Sequence, residues 1–346
     1  MEVGLPDEIQ RYKLLCTYTS SIREHKVASD VDLQELAALT QNFSRVELKE
    51  LVRVAEDKAM NKVIKVSSEG ELDLSAMGKL MVSRADFLHA LENEVKPAFG
   101  RVTVVDHLLA RGIINWGRPV AEIIAASSTE IRRRRASESI DPVTILLEGP
   151  PNSGKTALAA QIAKNSDFPF VKVFTPDDMI GYSVTAKCIS MRNLFDDASR
   201  SQLSCILVDN IERLIDYEPI GPNYSYETFQ ALRVFLKYRL PRGIKLLVIC
   251  TTSNRQLFWD LELLPAFDTI LHVPNLSKPD HLLAVLEDQD VFTKSELLSL
   301  HAKLQGKKVS IGIKKLLKVI DLARKVDPSN RMTEFLSELK EQGGLE

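Results

Sequence analysis

The sequence predicts an α/β protein, with a mainly parallel sheet covered by helices, a small all-helical piece in front and a helical lid behind. Three observations carry this reading. Short runs rich in β-branched and aromatic residues alternate with helical patterns between residues 142 and 273. A glycine-containing loop stands between the first of these runs and a helix pattern. The segments on either side show helical periodicity and no series of strand-like runs.

In the amino-terminal segment, Ser44 and Glu47 form a capping-box pair, and Leu48, Leu51, Val52, Ala55 and Ala59 recur on one helix face. Leu33, Leu36 and Ala37 mark a similar stripe, and Ser83 with Asp86 caps a third helix carrying Phe87, Leu88 and Leu91. Residues 1–95 are therefore expected to form an all-helical subdomain. Pro97 and Gly100 break the third helix and point to a linker over 96–110. The run Arg132 to Arg135 could grip phosphate or an acidic partner, but a solvated helix face or loop is the plainer reading of four charges in a polar stretch.

From Pro142 the pattern switches. Strands are expected at Val143 to Leu147, Phe168 to Phe174, Cys205 to Val208, Leu246 to Thr251 and Thr269 to Val273, within a core over 111–278. Residues 279–346 return to a helical pattern.

Composition narrows the function. With 346 residues, roughly two domains are expected. Lys plus Arg number 45 and Asp plus Glu 47, so the formal charge of −2 argues against nucleic-acid binding driven by bulk charge. Cys16, Cys188, Cys205 and Cys250 lie 172, 17 and 45 residues apart, which leaves no CxxC or metal-ligand spacing and reads as reduced thiols of a cytoplasmic protein. No uninterrupted apolar run of about 18 residues occurs, so contact with membranes is expected to be peripheral.

The chemistry centres on Gly149 to Thr156, GPPNSGKT, which matches G-x-x-x-x-G-K-[ST] between an apolar strand and the helix pattern TALAAQIAK. Such a turn aims backbone N–H groups at one point and makes an anion site. Gly149 and Gly154 permit the turn, Lys155 would reach the β- and γ-phosphates, and Thr156 would offer a hydroxyl to Mg²⁺. Pro151, Asn152 and Ser153 complete the loop, and Ala157 and Leu158 continue it into the helix. Chance alone would produce such a match in roughly one chain of this length in a hundred. Fifty-four residues after Lys155, CILVDN places Asp209 at the carboxyl end of a buried strand, where ligands of open α/β sheets bind and an acid can hold Mg²⁺.

These residues are the basis of a resemblance. GPPNSGKTALAAQIAK, FDDASRSQLSCILVDNIERLIDY, PIGP (219–222) and IGIKKLL (311–317) resemble the second ATPase module of the vesicle-fusing AAA+ ATPase family, typified by the N-ethylmaleimide-sensitive factor. GLPDEIQRYKLL, NFSRVELKELVRVAEDKAMN and SRADFLHALENEVKPAFG resemble the end of that family's first module. The resemblance implies that residues 1–95 are the lid of a first module whose core is absent, and that 111–278 and 279–346 are the AAA+ P-loop core and lid of the second. It also implies a fragment, a truncated gene model or a shortened paralogue. The cofactors it implies are ATP and Mg²⁺, and the assembly a homo-hexamer. SNAP adaptor and SNARE complexes would be engaged through amino-terminal regions missing here.

Hydrolysis is expected to be slow. Where active modules of the family carry a glutamate after the Mg²⁺ aspartate, this sequence has Asn210, whose amide cannot act as a general base near neutral pH. Glu212 is a fallback, on the same side of an extended chain but about 6.6 Å further along. The polar residue that would contact the γ-phosphate or water falls at Ser253, beside Thr252, and no arginine-finger pair precedes PAFDTILHV. The resemblance places Lys314 at the second-sensor position near the γ-phosphate and Lys237 against nucleotide on a neighbouring subunit. Ser310 is expected to cap the helix that carries Lys314. Gly112, Ile113, Ile114, Asn115 and Trp116 could sandwich adenine, or Trp116 could simply anchor a linker. The loop near Asp178 to Tyr182 carries Met179 where substrate-gripping modules have an aromatic.

Three functions follow for testing. The first is an ATP-binding module that assembles a hexamer with little turnover. The second is an active motor remodelling SNARE complexes. The third is a DNA-linked AAA+ loader, disfavoured by charge.

Overall fold

The computed structural model describes residues 6–20, 26–66, 81–95, 103–109, 112–220 and 223–345, in two units, Met1–Arg101 and Val102–Glu346. The expected KPAFGR break and the last two residues of PIGP lie outside the described residues.

The first unit contains α1 (Glu8–Ser20), β1 (Lys26–Val27), α2 (Leu33–Leu39), α3 (Arg45–Val66), β2 (Met81–Val82) and α4 (Arg84–Asn93). The Ser44–Glu47 box is present, with the Ser44 N–H donating to the Glu47 carboxylate at 2.7 Å. Ser83 and Asp86 make the second box. The apolar stripe of α3, Leu48, Leu51, Val52, Ala55 and Ala59, is buried with Leu36 and Phe87. An all-helical unit was expected, and the structure corrects this. Lys26–Val27 pairs in parallel with Met81–Val82, a two-residue ladder too short to leave a periodic signal.

The second unit opens with α5 (Thr103–Leu108) and α6 (Arg118–Ala136). Helix α5 falls inside the expected linker yet buries Val105 completely and pairs Asp106 with Lys164 at 3.0 Å, so residues 103–109 belong to this unit. There follow β3 (Val143–Glu148), α7 (Lys155–Asn165), β4 (Phe170–Phe174), α8 (Val184–Ala198), β5 (Leu203–Val208), α9 (Ile211–Leu214), α10 (Tyr226–Leu236), β6 (Lys245–Thr252), α11 (Arg255–Asp260) and β7 (Thr269–His272). The strands order as β4-β5-β6-β3-β7, and every neighbouring pair is parallel. All six residues of β3 are buried, because helices cover both faces of a parallel sheet. After β3 the chain crosses to the far edge, fills back to β6, and then adds β7 on the other side of β3. The carboxyl end of β3 thus lies at the reversal of strand order, where open α/β sheets bind ligands.

The lid comprises α12 (Pro279–Asp288), α13 (Lys294–Leu304), α14 (Ile313–Ala323) and α15 (Pro328–Glu341). Phe292 and Phe335 meet edge-on at 5.4 Å, and Leu282, Leu286, Leu300, Leu316 and Leu339 are fully buried around them. Gly312, and not Ser310, is the N-cap of α14, since Ser310 is held two residues earlier by an N–H bond to the Gly344 carbonyl.

Arg132, Arg133 and Arg135 are exposed on α6, as the plainer reading of a solvated helix face expects, and Arg134 is the exception. Arg134 is fully buried and donates to the carbonyls of Ser139 (3.0 Å) and Ile244 (3.1 Å), pinning α6 to the segment entering β6. Burial pushes its pKa down. Arg135 lies over the Phe168 ring at 5.5 Å, and Arg133 pairs with Glu130 at 2.9 Å.

Candidate nucleotide-binding site

The loop from Gly149 to Gly154 joins β3 to α7. Gly149 has φ 156°, and a Cβ there would sit 2.2 Å from the Val273 carbonyl oxygen, so only glycine fits. Gly154 has φ 96° and precedes the first turn of α7, whose leading N–H groups have no partners within the helix. Pro151 and Asn152 are exposed at the rim, whereas Ser153 and Lys155 are buried. The Lys155 ammonium donates to the carbonyls of Gly149 (3.0 Å) and Pro150 (2.8 Å). Burial pushes its pKa down, against the pull of Glu212, Asp209 and Glu148, while Lys314 adds repulsion. A buried cation among loop carbonyls and a buried Ser153 Oγ with no partner are what a bound phosphate would satisfy, so these residues fit that group.

Asp209 emerges from β5 and gathers three groups. Its Oδ1 accepts from Thr156 Oγ1 (2.8 Å) and Thr251 Oγ1 (2.6 Å), and its Oδ2 accepts from Asn210 Nδ2 (2.8 Å). Thr156 and Asp209 bring a hydroxyl and a carboxylate together, three oxygens in all, few enough that a bound Mg²⁺ would also need phosphate and water oxygens. Among the described residues no group of three or more His, Cys, Asp or Glu side chains could hold a metal ion by itself.

Asn210 is left-handed at φ 51°, a conformation that asparagine tolerates, and its amide is turned onto Asp209. Glu212 accepts from Thr252 Oγ1 (2.8 Å) and from the Ser253 N–H (2.9 Å). Ser253 thus contributes its backbone, and its neighbour Thr252 the hydroxyl. Both hydrogen bonds tie Glu212 to the tip of β6.

A cavity of about 230 Å³ beside the loop is lined by Gly112, Ile113, Ile114 and Trp116 together with Ser153, Gly154, Ala157 and Leu158, and by Lys314 from the lid. Trp116 lines this cavity and also packs on His281 of α12 at 4.8 Å. Asn115 is absent from the lining. It is exposed, and its Oδ1 faces the Gly117 N–H at 3.4 Å. Lys237 is likewise not brought to this cavity and stands exposed at the C-cap of α10. A hollow of about 670 Å³ on α12 and α13 is larger, but it has no phosphate loop.

Several neighbours carried no readable signal. His107, Leu108, Ile313 and Leu317 line the cavity but look like ordinary helix residues in sequence. Thr251 was legible only as a strand residue. Glu148 is buried just before the loop and accepts from Arg255 and His272, each at 2.9 Å. Arg255 is the single arginine of residues 253–268. In the loop after β4, Met179 is buried while Ile180 and Tyr182 are exposed.

Fold and site together define a P-loop nucleotide-binding module with a helical lid. Residues 145–275 match the ATPase family associated with various cellular activities (AAA), and residues 275–342 match the NSF AAA+ ATPase lid domain. The chain is 40% identical over 344 residues to a "Vesicle-fusing ATPase" of Caenorhabditis elegans, covering 97% of this chain and 42% of that protein. It is 36% identical over 345 residues to "Vesicular-fusion protein SEC18" of Saccharomyces cerevisiae, covering 98% and 45%. A "Vesicle-fusing ATPase" of Arabidopsis thaliana is 35% identical over 325 residues, covering 93% and 43%. The chain is thus an AAA+ ATPase module similar to vesicle-fusing ATPases, and it spans under half the length of these relatives. Among the described residues no helix is long and apolar enough to cross a membrane.

Proposed function

We propose that this chain is the ATP-binding module of a vesicle-fusing ATPase that holds ATP and Mg²⁺ chiefly to assemble a homo-hexamer, with slow hydrolysis. Residues 1–95 are assigned to the lid of a preceding module, and the contacts with SNAP adaptors and SNARE complexes to other parts of a longer cytoplasmic protein. Lys155, Lys314, Ser153 and the first turn of α7 would hold the phosphates, Thr156 and Asp209 the cation, and Ile113, Ile114 and Trp116 the base. Bound Mg²⁺ supplies charge neutralisation on the phosphates. Lys237, exposed on α10, is assigned to nucleotide on a neighbouring subunit.

One observation supports slow turnover above the others. The residue beside Asp209 is an amide hydrogen-bonded to that carboxylate, and the nearby carboxylate of Glu212 is engaged by Thr252 and Ser253. Among the described residues, neither Asn210 nor Glu212 offers a free carboxylate beside Asp209, which supports slow turnover. Arg255 is exposed but pairs with Glu148 at 2.9 Å, a pair it would have to leave to act as a finger.

Light scattering of the purified chain tests the assembly role. A ring-sized mass with Mg-ATP, and a smaller species without nucleotide or as Lys155→Ala, is expected. The same small mass in all three states refutes it.

A further inference from the structure

We propose that Gly312 and the Asn152 carbonyl form a backbone latch that seats the lid on the phosphate loop and controls how fast nucleotide leaves. The inference rests on the nucleotide reading above. The Lys314 N–H donates to the Asn152 carbonyl at 3.0 Å, joining the first turn of α14 to the loop. A Cβ on Gly312 would lie 2.7 Å from that oxygen, 2.8 Å from its carbon and 3.2 Å from Asn152 Cβ. Gly312 has φ −74° and ψ 142°, a conformation open to any residue. Glycine is therefore needed at this position for space and not for backbone freedom.

The loop before Gly312 cannot slide away to make room. Ile311 exchanges two backbone hydrogen bonds with Leu276, at 2.9 and 3.2 Å, and Ser310 donates to the Gly344 carbonyl at 3.1 Å. A second close approach lies alongside, where a Cβ on Gly154 would come 2.9 Å from Ile313 Cγ2. The latch matters to a ligand because Ile313, Lys314 and Leu317 of α14 line the cavity together with Ser153, Gly154 and Ala157. Lifting α14 off Asn152 opens the cavity and withdraws Lys314. Nucleotide release and latch opening are then one event.

The test uses the full chain and Gly312→Ala, with Gly306→Ala as the comparison. Gly306 lies in the lid at φ 76° with open space around its missing Cβ, so alanine there strains the backbone without touching the loop. Hydrogen exchange at the Lys314 amide without nucleotide reads the latch directly. Dissociation of a fluorescent ATP analogue reads its consequence. Gly312→Ala is expected to deprotect the Lys314 amide and speed dissociation at least ten-fold, while the preference for the ATP analogue over its ADP counterpart shrinks. Gly306→Ala is expected to stay within two-fold of the parent despite a lower melting temperature. Parent-like exchange and dissociation in a folded Gly312→Ala protein overturn the latch, as does equal acceleration by Gly306→Ala. If the parent binds no nucleotide the functional reading fails, and exchange at Lys314 still decides whether the latch exists.

Discussion

Replacing Asn210 with glutamate should turn a holding site towards a hydrolysing one, at a calculable cost. In the unliganded chain Asn210 Nδ2 donates to Asp209 Oδ2 at 2.8 Å. Losing a hydrogen bond to a charged acceptor costs about 1.5–3 kcal/mol. The left-handed backbone, φ 51°, costs about 1 kcal/mol more for glutamate than for asparagine. Two carboxylates about 4 Å apart would repel by about 4 kcal/mol at an effective dielectric of about 20, but position 210 is half-buried and the longer side chain can turn outward. We therefore expect Asn210→Glu to lower unliganded stability by about 3 kcal/mol in urea unfolding, with Mg²⁺ and ATP restoring much of it. Phosphate release should rise about 10²-fold, the lower end of what a positioned general base contributes, and remain below about 1 s⁻¹ for want of an arginine finger. A variant that binds the fluorescent ATP analogue like the parent yet hydrolyses no faster would refute the idea that Asn210 limits turnover.

Lys155→Met should abolish nucleotide binding, and it also predicts a pH effect. A lysine whose folded pKa is lowered binds fewer protons folded than unfolded, so its contribution weakens the fold at neutral pH and recovers as pH rises through the folded pKa towards 10.5. The stability of the parent relative to Lys155→Met should therefore increase as pH rises towards 10.5, and a flat or falling difference in urea unfolding would contradict this. Gly149→Ala should cost at least about 3 kcal/mol, because the Val273 carbonyl 2.2 Å from the new Cβ is backbone and cannot rotate aside. Its unfolding midpoint is the measurement. Arg134→Ala should cost about 3 kcal/mol through lost packing and two orphaned carbonyls, with nucleotide affinity unchanged. Loss of affinity at unchanged stability would return the arginine run to an anion-binding role.

What the sequence made legible was local. The loop GPPNSGKT, the buried run ending in Asp209 and the two capping boxes each lie within a few residues, and each has a period or spacing with a physical cause. The strands were placed within about two residues, since apolar runs mark burial better than they mark where a hydrogen-bonded ladder stops. Long-range placement was not legible. Thr251 meets Asp209 across 42 residues, and Arg134 reaches the Ile244 carbonyl across 110, and no spacing rule encodes either. The parallel pair Lys26–Val27 with Met81–Val82 is too short for periodicity. Gly312 was read as part of a motif, and its contact with the Asn152 carbonyl becomes visible only when the lid is folded onto the loop.

The identity of the nucleotide retained by the assembled chain tests the central claim most directly. The chain would be incubated with Mg-ATP for an hour, the assembled fraction isolated, and its bound nucleotide extracted and separated by chromatography. A holding site without a general base predicts ATP in the large fraction. ADP in that fraction, with phosphate released in proportion, would contradict it.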